Sequence, residues 1–218
     1  MQRNPGRVIV HAEALGWLDA NPAEPRTSVV TSLPDVSEVG ALGEEAWRAW
    51  FIDAARRVIR WVPGGGVSIF YQSDIRRGGA WIDKGYLVHR AVEEERASLV
   101  WHKIVCRKPA GSPSFGRATY SHMLCVSRVE RPPPKHGSAD VLPDAGHMPW
   151  TRAMGVAACR VACRYLRDET DTTTVVDPFC GHGTVLAVAN ASGLDAVGID
   201  TSARQCKAAR KLVIVDDA

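Results

Sequence analysis

No stretch of this chain approaches the run of about 18 apolar residues needed to span a bilayer, and the opening Met1 to Gly6 has no apolar leader core behind it. The expectation is a soluble, intracellular, cytoplasmic protein without membrane contact. Cysteine is sparse. The six cysteines (106, 125, 159, 163, 180, 206) form no C-x-x-C pair and sit in apolar segments, so neither a disulfide framework nor a zinc site is indicated. Excess charge is also small: a formal +3 permits an acidic partner without arguing for one. There is no internal repeat, and the G-x-G-x-x-G dinucleotide fingerprint is missing.

What is present is enough for one core. A chain of 218 residues with 45% hydrophobic content leans toward a single domain, residues 1–218. Short β-branched runs at Arg7 to Ala12 and Thr27 to Ser32 read as strands, and Glu44 to Trp61 carries Trp47, Trp50, Phe51, Ala54, Val58 and Trp61 at helical spacing. Pro63-Gly64-Gly65-Gly66 ends that helix before a strand at Val67 to Gln72. A helix is expected over Trp81 to Arg90, then an antiparallel pair from Ser98 to Cys106 and Tyr120 to Val129. The Pro-rich segment 131–147 reads as a mobile surface linker without core. A helix over Thr151 to Arg167, a strand at Thr172 to Val176, a helix from Thr184 to Ala191, a strand at Ala196 to Ile199 and a helix from Ser202 to Val213 complete the chain. Strands alternating with helices predict a mostly parallel sheet covered on both faces.

Chemistry concentrates between Val175 and Asp200. A strand runs into Asp177-Pro178-Phe179-Cys180-Gly181-His182-Gly183-Thr184, a helix follows, and the next strand ends in Gly198-Ile199-Asp200. Gly181 and Gly183 let the backbone approach a ligand closely, and the free N–H groups of the following helix favour a polar or anionic ligand group. An acid closing the next strand can accept from both hydroxyls of a ribose. Adenosine-containing cofactors fit; the bland alternative is glycines serving only the turn and Asp200 capping the last helix.

The phrase DPFCGHGT followed by GID resembles the DPF-x-G-x-GT signature of the DNA and RNA amino-methyltransferases. The resemblance implies S-adenosyl-L-methionine as cofactor, with Asp177, Gly181 and Gly183 around its methionine part, Pro178, Phe179, Cys180 and Thr184 shaping the loop, and Asp200 on the ribose. It also implies a Rossmann-like doubly wound α/β sheet, mostly parallel with a terminal antiparallel strand pair. Because the glycine-rich loop comes nearly last, the order resembles the circularly permuted members of the family. The strand ending near Ser32 should then lie beside the strand ending at Asp177. Glu13, after the first strand, would contact the adenine amino group, and Pro149-Trp150-Thr151 would cover the methionine end.

Where the family carries D/N/S-P-P-Y/F/W, this chain has Ser32-Leu33-Pro34-Asp35. Ser32 and Pro34 match, a leucine replaces a proline, and Asp35 replaces the aromatic residue that stacks on a flipped base. Asp35 reads either as a hydrogen-bond acceptor or general base for the acceptor group, or as a cap of the following turn. Arg76, Arg77, Lys84, Lys103, Arg107, Lys108, Phe115, Arg117 and Tyr120 follow late strands, where basic and aromatic side chains suit phosphate contact and base stacking. A solvated surface is the competing reading. The expected substrate is nucleic acid, with structured RNA, tRNA among them, favoured over DNA because no extra domain is present to read a duplex. The rivals are a DNA amino-methyltransferase, a small-molecule methyltransferase and an inactive cofactor-binding partner. Target atom and oligomeric state stay open.

Overall fold

The computed structural model describes residues 5–40 and 42–214. Met1 to Asn4 of the leader reading lie outside the described residues. In chain order the elements are β1 (Arg7–His11), α1 (Ala14–Ala20), β2 (Thr27–Thr31), α2 (Glu44–Trp61), β3 (Ser68–Gln72), β4 (Ile75–Arg77), β5 (Ala80–Ile82), α3 (Lys84–Glu94), β6 (Ser98–Cys106), β7 (Tyr120–Ser127), β8 (Val141–Leu142), α4 (Val156–Glu169), β9 (Thr174–Asp177), α5 (Thr184–Ala191), β10 (Asp195–Asp200) and α6 (Ala203–Lys211).

Eight strands form one sheet in the order β1-β10-β9-β2-β3-β7-β6-β8, and β4 pairs with β5 in a separate hairpin. From β1 to β3 every pairing is parallel, whereas β7 runs antiparallel to both β3 and β6. The doubly wound, mostly parallel architecture and the terminal antiparallel pair expected from the sequence are therefore present. So is the permutation: β9 and β10, last in sequence, lie between β1 and β2, first in sequence, with Thr27 opposite Thr174 and Val29 opposite Val176.

Central strands bury both faces, which is why β2 and β3 are buried along their whole length. One face packs on α4, α5 and α6 through Cys159, Ala162, Leu166, Leu186, Val188 and Cys206. The other packs on α1, α2 and α3 through Leu18, Trp47, Phe51, Val58 and Val88. Helix α2 begins at Gly43 with Glu44 and Glu45 in its first turn, where carboxylates favour the helix dipole, and stops at Val62 because Pro63 cannot continue it.

Two local expectations are corrected. The helix read from Trp81 starts three residues later, because Asp83 caps it by accepting from the Tyr86 N–H at 2.8 Å. Ala80 to Ile82 instead pair with Ile75 to Arg77 across a turn in which Gly78 and Gly79 take φ of 54° and 83°. The segment 131–147 is not free of packed structure. Its stretch 132–140 is exposed, but Val141 and Leu142 pair in parallel with Ile104 and Val105, and Ala145 is 4% exposed in the core. Proline-rich composition signalled the exposed part and hid the short strand. Five of the six cysteines are buried, the other is half-buried, and all six are free thiols. No helix among the described residues is long and apolar enough to cross a membrane.

Gly155, the residue before α4, reports on this packing. A Cβ there would stand 2.0 Å from the Ala145 carbonyl oxygen, although its φ of −63° suits any residue. Gly155→Ala is expected to destabilise the fold by about 1–3 kcal/mol through overpacking alone. Denaturant titration checks it, and an unchanged midpoint would mean that residues 140–147 do not press on α4.

Candidate functional site

The glycine-rich turn joins β9 to α5. Gly181 and Gly183 adopt φ of 52° and 79°, and a Cβ on them would approach Trp150 and Ala209 to 2.9 Å in each case. Glycine is required there for both conformation and space. Helix α5 starts without a side-chain cap, so its first N–H groups remain open to a ligand. Asp200, closing β10, accepts from the Gly181 N–H at 3.0 Å and the Ser202 N–H at 2.7 Å, which orients both oxygens while leaving lone pairs for further donors. Burial pushes its carboxyl above the ordinary range. Asp177 is buried entirely: desolvation pushes its carboxyl up to about 7, offset in part by hydrogen bonds from the Thr31 hydroxyl at 2.7 Å and the Phe179 N–H at 3.1 Å.

An open cleft of about 850 Å³ lies over the carboxyl ends of the parallel strands. It brings together Pro178, Phe179, Gly181 and Asp200 with Ser32, Pro34 and Asp35, and adds Glu13, Trp150 and Arg76. Asp177, Cys180 and Thr184 line a small adjoining pocket with Ser32, Phe179 and Trp150. The Trp150 ring stacks on His182, with centroids 4.5 Å apart. Two buried polar atoms at this end, Thr184 Oγ1 and Trp150 Nε1, have no hydrogen-bond partner within the protein. Such atoms are costly to leave unsatisfied. A hydroxyl and an indole N–H awaiting partners beside open helix N–H groups fit the amino-acid end of a cofactor. The Asp200 carboxylate fits a diol.

Other residues land differently from expectation. Glu13 lines the cleft but caps α1, accepting from the Leu15 and Gly16 N–H groups at 3.0 and 2.6 Å. Asp35 is not a free acid: its carboxylate pairs with the ammonium of Lys84, whose side chain is 4% exposed. Leu33 turns into the core beside Trp47, and the Trp47 indole donates to the Pro34 carbonyl at 3.2 Å, so the loop is held from beneath while Ser32 stays exposed. Arg77 is exposed on the β4–β5 hairpin beside Arg76 without lining the cleft. Lys103 is turned away and buried, donating to Ser138 Oγ at 2.9 Å and the Ala139 carbonyl at 2.7 Å. Its placement corrects the expectation of substrate contact; strand alternation could not say which face it takes. The Tyr120 hydroxyl stands behind the cleft, donating to Asp74 at 3.1 Å.

The sequence reading passed over Asp74, Trp50, Tyr71 and Arg152, all in the cleft wall. Asp74 lies just past the end of β3, so the rule that ligands gather at the carboxyl ends of parallel strands was an available signal. Arg152 pairs with Glu38 at 2.6 Å, linking the 150–154 segment to the loop after β2, a contact between residues 114 apart that no local pattern announces.

Strand order and the late position of the glycine-rich turn give the fold of the permuted amino-methyltransferase order. More narrowly, residues 165–211 match the family of DNA methylases. No curated protein sequence matches the chain. Among solved structures, it is similar to the PvuII DNA methyltransferase, cytosine-N4-specific (15% identity, 99% of this chain and 91% of that chain, TM-score 0.74). It is also similar to a Thermus thermophilus protein assigned as a DNA modification methylase and solved with S-adenosyl-L-methionine (18% identity, 94% and 93% covered, TM-score 0.71). A third is the M1.HpyAVI complex with the same cofactor (13% identity, 94% and 98%, TM-score 0.64).

The buried Asp177 makes stability depend on pH. Its folded pKa of about 7 lies above the unfolded value of 3.8, so the folded state binds the extra proton and this stabilisation, complete below pH 4, is lost as pH rises to about 7. In the protein without cofactor, Asp177→Asn should gain melting temperature relative to the wild type between pH 5 and pH 8. Parallel melting curves with a constant difference across that range would show that Asp177 does not titrate there.

Proposed function

We propose that this chain is a DNA amino-methyltransferase that uses S-adenosyl-L-methionine. The observation that carries the reading is the single cleft in which the Ser32–Asp35 loop and the glycine-rich loop meet, an encounter that exists only because β2 pairs with β9. Bound there, the cofactor supplies an electrophilic methyl group. The Asp200 carboxylate takes the ribose hydroxyls, and Thr184, Trp150 and the N–H groups at the start of α5 take the amino-acid end. The exposed Ser32 hydroxyl and the neighbouring loop carbonyl accept from the target amine, aiming its lone pair; the amine proton leaves to water after transfer. Most of the acceleration comes from this positioning.

The RNA expectation rests on the small size of the chain. Size no longer supports that inference, since a protein described as a DNA methyltransferase is 91% covered by this chain. The match of residues 165–211 to the DNA methylase family supports the same reading. At the target position the family's stacking aromatic is replaced by the Asp35–Lys84 pair, so the flipped base is held by polar contacts on that side. Arg76, Arg107, Arg117 and Arg152 around the cleft provide phosphate contacts.

Incubation with methyl-labelled cofactor and DNA, RNA or a metabolite extract, followed by mass spectrometry of nucleosides, tests the reading. The expected product is a DNA base methylated on its exocyclic amine. Label confined to RNA or to small molecules, or cofactor binding without transfer to any of them, would overturn it. Asp200→Ala should weaken cofactor binding in calorimetry by about 1–3 kcal/mol, the worth of charge-assisted hydrogen bonds to the ribose. Unchanged affinity would remove Asp200 from the site.

A further inference from the structure

Behind the cleft wall, three side chains from three elements converge. Asp74 and Asp83 stand at the two ends of the β4–β5 hairpin, and His122 on β7 lies beneath them. His122 Nε2 is 3.2 Å from Asp74 Oδ2 and 3.8 Å from Asp83 Oδ1, and one ligand atom of each residue lies within 4.8 Å of the others. Zinc-type bonds of about 2.0–2.2 Å to nitrogen and oxygen place tetrahedral ligands roughly 3.3 Å apart. The two separations from His122 Nε2, 3.2 and 3.8 Å, are near that.

The surroundings are those of a prepared ligand set. His122 Nδ1 is 3.0 Å from His102 Nε2, so when Nε2 carries a lone pair outward the Nδ1 proton has an acceptor that fixes the tautomer and ring plane. Asp74 is held by the Lys84 N–H at 2.9 Å on one oxygen and by the Tyr120 hydroxyl on the other. Gly85 sits so close that a Cβ there would be 3.0 Å from the His122 ring, so the helix leaves room for the imidazole. Asp83, 59% exposed, leaves a path from solvent.

A second observation points the same way. Gln72 pairs directly with His122 across β3 and β7 and therefore shares its sheet face. It is fully buried, yet neither its amide nitrogen nor its oxygen has a protein partner. A polar group of this kind beside the cluster is satisfied by a water or a ligand.

We propose that Asp74, Asp83 and His122 bind one borderline divalent cation of the Zn²⁺ type, which clips shut the base of the β4–β5 hairpin. One imidazole and two carboxylates suit such an ion better than Ca²⁺ or Mg²⁺, which prefer oxygen alone. The clip fixes the hairpin that carries Ile75 and Arg76 into the cleft. It is independent of the methyl-transfer reading, because the metal is read by binding and not by turnover.

The test is titration of the full, tag-free chain, stripped with chelator, with Co²⁺ followed by absorbance and with Zn²⁺ by calorimetry. One equivalent of Co²⁺ should bind with visible d–d bands, Zn²⁺ should displace it, and hydrogen exchange of residues 75–82 should slow. Asp83→Asn keeps the helix cap, so the apo protein should melt as the wild type does while metal affinity falls about 10- to 100-fold. His122→Gln should behave alike; if it does not fold, Asp74→Asn takes its place. Absence of stoichiometric binding, affinity unchanged in Asp83→Asn, or a thiolate charge-transfer band placing the metal on cysteine would each overturn the proposal.

Discussion

The hydrogen bond from the Thr31 hydroxyl to the buried Asp177 carboxylate joins residues 146 apart in sequence and marks the seam on which the site depends. Pairing of β2 with β9 inserts the last two strands of the sheet between the first two, and only this insertion puts a loop from residue 32 onward against a loop from residue 178 onward. Loop closure over such a distance is entropically unfavourable, and the return comes from strands buried on both faces. Val29, Val30, Val175 and Val176 supply that burial at the seam itself, each 2% exposed or less.

The same seam gathers charge. Asp177 and Asp200 end neighbouring parallel strands, and each has its carboxyl raised by burial, while one backbone N–H holds Asp177 Oδ1 and two hold the oxygens of Asp200. A preformed arrangement of this kind presents oriented acceptors without rearrangement on binding. The cost is borne by the fold, as is usual where a site keeps polar groups out of water. The unpartnered Thr184 hydroxyl and Trp150 indole belong to the same pattern: polar atoms kept dry beside the turn, with no use inside the protein.

On the acceptor side, tension between sequence and structure is sharper. Asp35 stands where the resemblance would put a base-stacking aromatic, and the structure gives it the buried Lys84 ammonium as partner instead of leaving it free in the cleft. A carboxylate so engaged is a firm fixture, and it holds the loop that presents Ser32. Lys84 in turn begins the helix capped by Asp83, and its backbone N–H holds Asp74. The acceptor loop and the hairpin behind it are thereby coupled through one residue.

The permuted order followed from a resemblance; by itself the sequence determined the α/β class and the glycine-rich turn with its closing acid. These are written in features that act locally: β-branched runs, helical spacing, and glycines where no side chain fits. The short β8 and the β4–β5 hairpin escaped, because two- and three-residue strands have too little pattern to outweigh proline-rich or helix-like neighbours. The environment of each candidate residue also lay beyond reach. That Lys103 turns inward, that Asp35 meets Lys84, that Arg152 reaches Glu38, and that Asp74, Asp83 and His122 converge are contacts between elements far apart in sequence. Only the tertiary structure decided them, since pairing and burial are properties of the packed sheet and not of the residues one by one.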